Sequence, residues 1–223
     1  QAFRREHTRA NMNVNDVIRW DNKQEGRYMI GFDPSQGLGQ DYTVMVVLRQ
    51  DEQGFVHFVN MWRRNDFAPD KQADMMGEWS KKFKCPIAAE DVGFQSLYES
   101  LLIQKGITVD YRQSKVSNRA LKQGLMNRLR VWFEQKKVVL PYGDDETRRV
   151  VNILLDELDT HVWKEGNIID VGRHNDTVMA FAHAIDQMTH IESGRLPMAT
   201  NTASGTSWGG NSSGSGRFII FGN

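Results

Sequence analysis

The side chains of this 223-residue sequence best suited to chemistry are carboxylates that recur at the ends of apolar runs. Asp33 ends the run YMIGFD, and Gly37 and Gly39 follow it. Glu90 and Asp91 end the run CPIAAED. Asp176 stands near the start of NDTVMAFAHAI, and Asp41 comes shortly after Asp33, just before another apolar run. A strand interior seldom holds an acid without a partner. Carboxylates gathered in one place repel, and a cation relieves that cost. Hard divalent ions take oxygen ligands, and Mg²⁺ keeps waters beside a few carboxylates. Two such ions about 3.5–4 Å apart can stabilise the attacking and leaving oxygens of a phosphodiester displacement. Each acid also has an ordinary reading. Asp33 could cap a turn, Asp41 start a strand, Glu90 or Asp91 pair with a lysine, and Asp176 favour a helix N-terminus through the dipole.

The elements that would position these acids follow from hydrophobic periodicity. Tyr28 to Asp33, Thr43 to Arg49 and Phe55 to Trp62 read as three strands, the last two joined through the turn QDEQG, and together suggest an antiparallel meander. Pro69 opens a helix with Ala73, Met76, Trp79 and Phe83 on one face. A short strand over Cys85 to Asp91 follows. Next come a helix over Phe94 to Lys105, with Leu97, Leu101 and Leu102 inward, and a strand over Ile107 to Tyr111. This alternation implies parallel pairing. Ser117 to Gln135 is the longest predicted helix, with Leu121, Leu125, Leu129, Trp132 and Phe133 as a core stripe. An extended piece at Val138 to Pro141 leads to a helix over Asp144 to Leu158. A hairpin follows around Glu165-Gly166. Asn175 can cap a final helix to about His190, with Val178, Phe181, Ala182 and Ile185 inward. The acids then lie where strand ends and loops gather, the edge at which open α/β sheets bind ligands.

Composition narrows the field. Lys plus Arg and Asp plus Glu both number 28, so net charge points to no partner and only its distribution can. The single cysteine, Cys85, excludes an internal disulfide framework and a Cys-based zinc site, and fits a reducing compartment. No apolar run reaches membrane-span length, no signal peptide is visible, and no G-x-x-x-x-G-K-[ST] phosphate loop occurs. The chain opens on Gln, as a fragment of a longer protein would. Residues 1–26 are polar and read as a linker; residues 27–192 form the domain; residues 193–223, rich in Gly and Ser, read as a flexible tail ending in the apolar FIIF. Between Arg112 and Lys137 eight basic residues meet one acid, Glu134. Lys115, Arg119 and Lys122 are candidates for sequence-independent phosphate contacts, the alternative being a solvated helix face. His174, close to Asp176, could touch a phosphate or a metal, whereas His161 and His183 suggest no role.

The order β-β-β-α-β-α-β-α, with acids on the first and fourth strands and on the last helix, resembles the ribonuclease H-like fold. That is an α/β class with a mixed central sheet, antiparallel first three strands and helices on both faces. GFDPSQGLGQDYTVMVVL, AAEDVGFQSLYESLL and HNDTVMAFAHAI narrow the resemblance to the C-terminal nuclease domain of tailed-phage terminase large subunits, over roughly Arg27 to His190. The resemblance implies that Asp33, Glu90 and Asp176 are metal ligands with Asp91 in reserve, because neighbouring strand residues face opposite ways. It makes Asp41 the auxiliary acid. Two positions depart from the family pattern, Asn175 and Met179, where the family often has Asp. The implied function is a Mg²⁺- or Mn²⁺-dependent endonuclease that uses two ions to cut concatemeric double-stranded DNA during genome packaging. The implied partners are a preceding ATPase domain, the terminase small subunit and the portal protein, with no membrane. The implied location is the host-cell cytoplasm, transiently at the procapsid portal vertex and not in the mature virion. The competing readings are a junction resolvase or transposase core, an actin-like ATP-binding domain, and a non-catalytic nucleic-acid-binding module.

Overall fold

The run TVMVVL has no polar alternation, and a strand of that kind must be buried on both faces. In the computed structural model, which describes residues 1–35, 37–90, 95–114 and 118–192, it occupies the middle of a seven-stranded sheet. The strands are β1 (Met12–Asn13), β2 (Arg27–Asp33), β3 (Thr43–Gln50), β4 (Val56–Arg64), β5 (Ile87–Glu90), β6 (Tyr111–Ser114) and β7 (Val138–Pro141). Their order is β1-β7-β4-β3-β2-β5-β6. The pairs β2–β3 and β3–β4 are antiparallel, as the meander requires, and the remaining pairs are parallel. At the turn between β3 and β4, the Asp51 carboxylate accepts the Gln53 and Phe55 amides.

Side-chain parity along β3 assigns the two faces. Val44, Val46 and Leu48 pack with α4 (Arg119–Glu134), α5 (Asp145–Asp159) and α6 (Asp176–Glu192). Met45 and Val47 pack with α2 (Pro69–Phe83) and α3 (Gln95–Lys105). Helices therefore cover both faces. Caps fix where α4 and α5 begin: the Asn118 side chain accepts the Leu121 amide and the Asp144 side chain the Thr147 amide. A hairpin of β8 (His161–Lys164) and β9 (Asn167–Asp170) turns at Glu165 and Gly166, with φ of 52° and 75°.

Several expectations are corrected. Residues 1–26 are part of the folded unit rather than a linker. After the short helix α1 (Arg5–Arg9), β1 extends the sheet beside β7, ahead of the meander. Ala2, Phe3 and Ile18 are buried. Phe3 meets Phe133 and His161 edge-on, at 6.1 and 5.7 Å. These contacts are long-range and leave no periodic trace in a polar stretch. The strand expected over Ile107 to Tyr111 starts only at Tyr111, because Ile107 packs across Gly77 of α2 instead. Leu97 and Leu121, expected inward, are exposed. Phe94 and the tail over 193–223 lie outside the described residues.

Candidate active site

Asp33 is the last residue of β2, and Glu90 is the last residue of the adjacent parallel strand β5. The register pairs Phe32 with Ala89, so the two acids are next in line at the same sheet edge. Parity sets their direction. Asp33 is two residues beyond Gly31, which faces α6, and Glu90 is two beyond Ala88, which packs in the same cluster as α6. Both carboxylates thus lie on the α6 side, and all three of Asp33, Glu90 and Asp176 are half-buried. Asp91 lies outside the described residues.

Gly31 is what lets α6 come so close. A Cβ there would overlap the Ala180 carbonyl and stand 2.7 Å from its carbon and 3.1 Å from the Ala184 Cβ. Asp176, the first residue of α6, is thereby brought over the ends of β2 and β5. Its Oδ2 accepts the Tyr42 amide at 3.2 Å and lies 3.7 Å from His174 Nδ1. The His174 ring also meets the Tyr42 ring edge-on at 5.1 Å.

The electrostatics fit one acidic centre. Burial pushes the Asp33 carboxyl well above the usual carboxylate range, the charges of Asp176 and Glu90 push it further, and Lys122 opposes them. Burial also raises Asp176; the Tyr42 amide opposes this, Asp41 adds to it, and His174 and Arg63 oppose it. Exposed Asp41 lines a 260 Å³ cavity with Asp176 and the turn residues Gly37 and Leu38. Among the described residues no group of three His, Cys, Asp or Glu side chains is ready-made to hold a metal ion. The donor chemistry nevertheless suits a hard divalent ion. The converging groups are carboxylates, and their mutual repulsion is what a cation relieves.

Of the basic candidates, Arg119 and Lys122 are exposed on the first turns of α4, and Lys115 lies outside the described residues. Lys122 lines a 330 Å³ cavity with Gln123 of the same helix, Asp170 of the hairpin, and Asn175 and Met179 around the start of α6. His161 and His183 are buried; burial lowers both, His183 to about 4. Sequence reasoning missed Tyr42, Arg63 and Glu157. Glu157 is 6% exposed and accepts the Thr177 amide (2.8 Å), the Thr177 hydroxyl (2.9 Å) and the Val178 amide (3.1 Å). Its position within the stripe Leu154, Leu155 and Leu158 was the available signal, since an acid there needs a partner.

A family model for the terminase RNase H-like domain matches residues 30–188. A search of curated proteins found no match. Solved structures of phage large terminases share the fold, among them the following three. The large terminase nuclease from thermophilic phage G20c with bound magnesium is 22% identical, with a TM-score of 0.65 over 84% of this chain and 97% of that one. The g2p large terminase nuclease domain from bacteriophage SPP1 with bound Mn is 16% identical, with a TM-score of 0.54 over 80% of this chain and 97% of that one. The HK97 bacteriophage large terminase is 11% identical, with a TM-score of 0.62 over 83% of this chain but only 43% of that one. Among the described residues no helix is long and apolar enough to cross a membrane.

Proposed function

Because this chain belongs to the terminase RNase H-like domain family, we propose that it is the divalent-metal-dependent endonuclease of a phage DNA-packaging motor, cutting concatemeric double-stranded DNA. One observation carries the reading. Asp33, Glu90 and Asp176 come from the ends of three elements to one sheet edge, where burial first, and then the other two acids, hold the Asp33 carboxyl up. Such a cluster has a use if a cation completes it. Asp33, Glu90 and Asp176 would hold Mg²⁺ or Mn²⁺, with two ions as the working number and Asp91 in reserve. A bound divalent ion supplies electrostatic stabilisation for the charge that develops on a phosphodiester under hydrolysis.

The chain's own residues do the rest. Lys122 and Arg119, exposed on α4, and Lys115 bind phosphates and hold the duplex without reading its sequence. Lys122 also lies close enough to favour the ionised form of Asp33. Asp41 sits at the rim and supports the charge of the site, and His174 orients against Asp176 while remaining available to a phosphate. The chain spans less than half of the HK97 large terminase, which fits a preceding ATPase domain. The small subunit and portal are the expected further partners. The expected location is the host cytoplasm and, transiently, the portal vertex, not the mature virion.

Cleavage of supercoiled plasmid tests this reading. Incubation with Mg²⁺ or Mn²⁺ should nick and linearise the DNA, EDTA should abolish cutting, and Asp33→Ala and Asp176→Ala should each be inactive. Activity that survives both substitutions would overturn the assignment.

A further inference from the structure

Asp176 accepts the Tyr42 amide, and two residues with no place in the carboxylate pattern, Arg63 and Glu157, pack around that contact. A carboxylate in the first turn of a helix is drawn back onto that helix's own unpaired amides. In α6 the nearest of those amides are already taken. Glu157, reaching across from α5, accepts both the Thr177 and Val178 amides through Oε2 and the Thr177 hydroxyl through Oε1. Asp176 points elsewhere, and its Oδ2 accepts the Tyr42 amide just before β3. Arg63 of β4 joins the two anchors. Its Nη2 lies 3.3 Å from Glu157 Oε1, and its guanidinium carbon lies 3.3 Å from the Tyr42 ring centroid.

We infer that Arg63 and Glu157 are positioning residues that free Asp176 from capping its own helix and aim its carboxylate at the metal site. The inference rests on the nuclease reading above for what Asp176 then binds. Helix stability alone does not call for this arrangement. A local Ser, Thr or Asn cap satisfies the first amides of a helix, and a buried ion pair is a poor source of stability compared with an apolar pair. Here the cap is borrowed from another helix, and its counter-ion stacks on the residue whose amide holds Asp176. The planar guanidinium can do both at once, which an ammonium cannot.

The test compares the native chain with Arg63→Lys, Glu157→Gln and Asp176→Asn by two readouts. The first is the backbone amide resonance of Tyr42 in the metal-free chain. The second is the Mg²⁺ midpoint, measured by calorimetry and by cleavage. Arg63→Lys should move the Tyr42 resonance and raise the Mg²⁺ midpoint about tenfold, as loss of a group that orients a metal ligand does. Cleavage should return at raised Mg²⁺. Glu157→Gln should act in the same direction; if it fails to fold, Arg63→Lys carries the test. Leu140→Ala, a fully buried truncation on β7, controls for lost stability and should leave both readouts native. A native Tyr42 resonance and a native midpoint in Arg63→Lys would overturn the inference. A moved resonance in a series whose native chain binds no Mg²⁺ would uphold the orientation of Asp176 and overturn the metal reading instead.

Discussion

Gly31→Ala should disable the site while replacing no acid. A methyl group at Gly31 would overlap the Ala180 carbonyl and stand 2.7 Å from its carbon. Carbon atoms settle at about 3.5–4.0 Å, so α6 must recede by at least roughly 1 Å. The Ala184 Cβ, at 3.1 Å, blocks escape by a shift along the helix. Asp176 moves with α6, whereas Asp33 and Glu90 stay on the sheet. A misplacement of about 1 Å at a reacting centre costs on the order of 100-fold in rate. The same overpacking should cost about 1–3 kcal/mol of stability. Plasmid cleavage at saturating Mg²⁺, measured below the melting temperature of every variant, separates the two effects. Leu140→Ala loses comparable stability away from α6 and should retain native cleavage. Native-rate cleavage by Gly31→Ala would refute the reasoning that a glycine-permitted helix approach sets the distance between the acids.

The remaining predictions concern charge and the N-terminal segment. Asp33 has a folded pKa above its unfolded value, near 3.8, because of burial and then its acidic neighbours, so its stabilising contribution is present below pH 3.8 and lost as pH rises through the folded value. Asp33→Asn should therefore melt above the metal-free native chain at pH 7, by about 2–4 °C for each kcal/mol relieved, and the gap should shrink toward pH 4. A gap that stays constant with pH in thermal melts would contradict this. Lys122→Ala should weaken duplex binding and reduce the slope of log K against log salt by about 0.9. An unchanged slope in a filter-binding series would remove Lys122 from the DNA path. Phe3→Ala should cost about 3–5 kcal/mol in urea unfolding, since the ring is 2% exposed against Phe133. A cost near zero would restore residues 1–26 to the status of a linker.

Legibility in the sequence followed the range of the interactions. The meander and the alternating helices are local patterns, written in period-two and period-3.6 repeats, and apart from β6, which starts only at Tyr111, they appear where those repeats place them. Parity alone puts Asp33 and Glu90 on one side of the sheet. What escaped was long-range. Phe3 is held by α4 and the hairpin, whose positions no short window contains. Leu121 fits the helical stripe but lies at the exposed first turn of α4, where the core has ended. Arg63 was silent because it reads as an ordinary surface charge until β4, α5 and α6 come together, whereas Glu157 left only its place in the apolar stripe of α5 as a signal, with no hint of its partners. Asp91 and Lys115 stand outside the described residues, so the choice between Glu90 and Asp91 rests on strand parity and the family pattern.

The most direct test of the central claim is an anomalous-scattering map from a crystal of this chain soaked in Mn²⁺. The expected result is density within about 2.0–2.5 Å of carboxylate oxygens of Asp33 and Asp176, a range typical of hard-ion coordination, with Glu90 or Asp91 completing the set. No anomalous density at this sheet edge, in a chain whose acids are intact and accessible, would contradict the account.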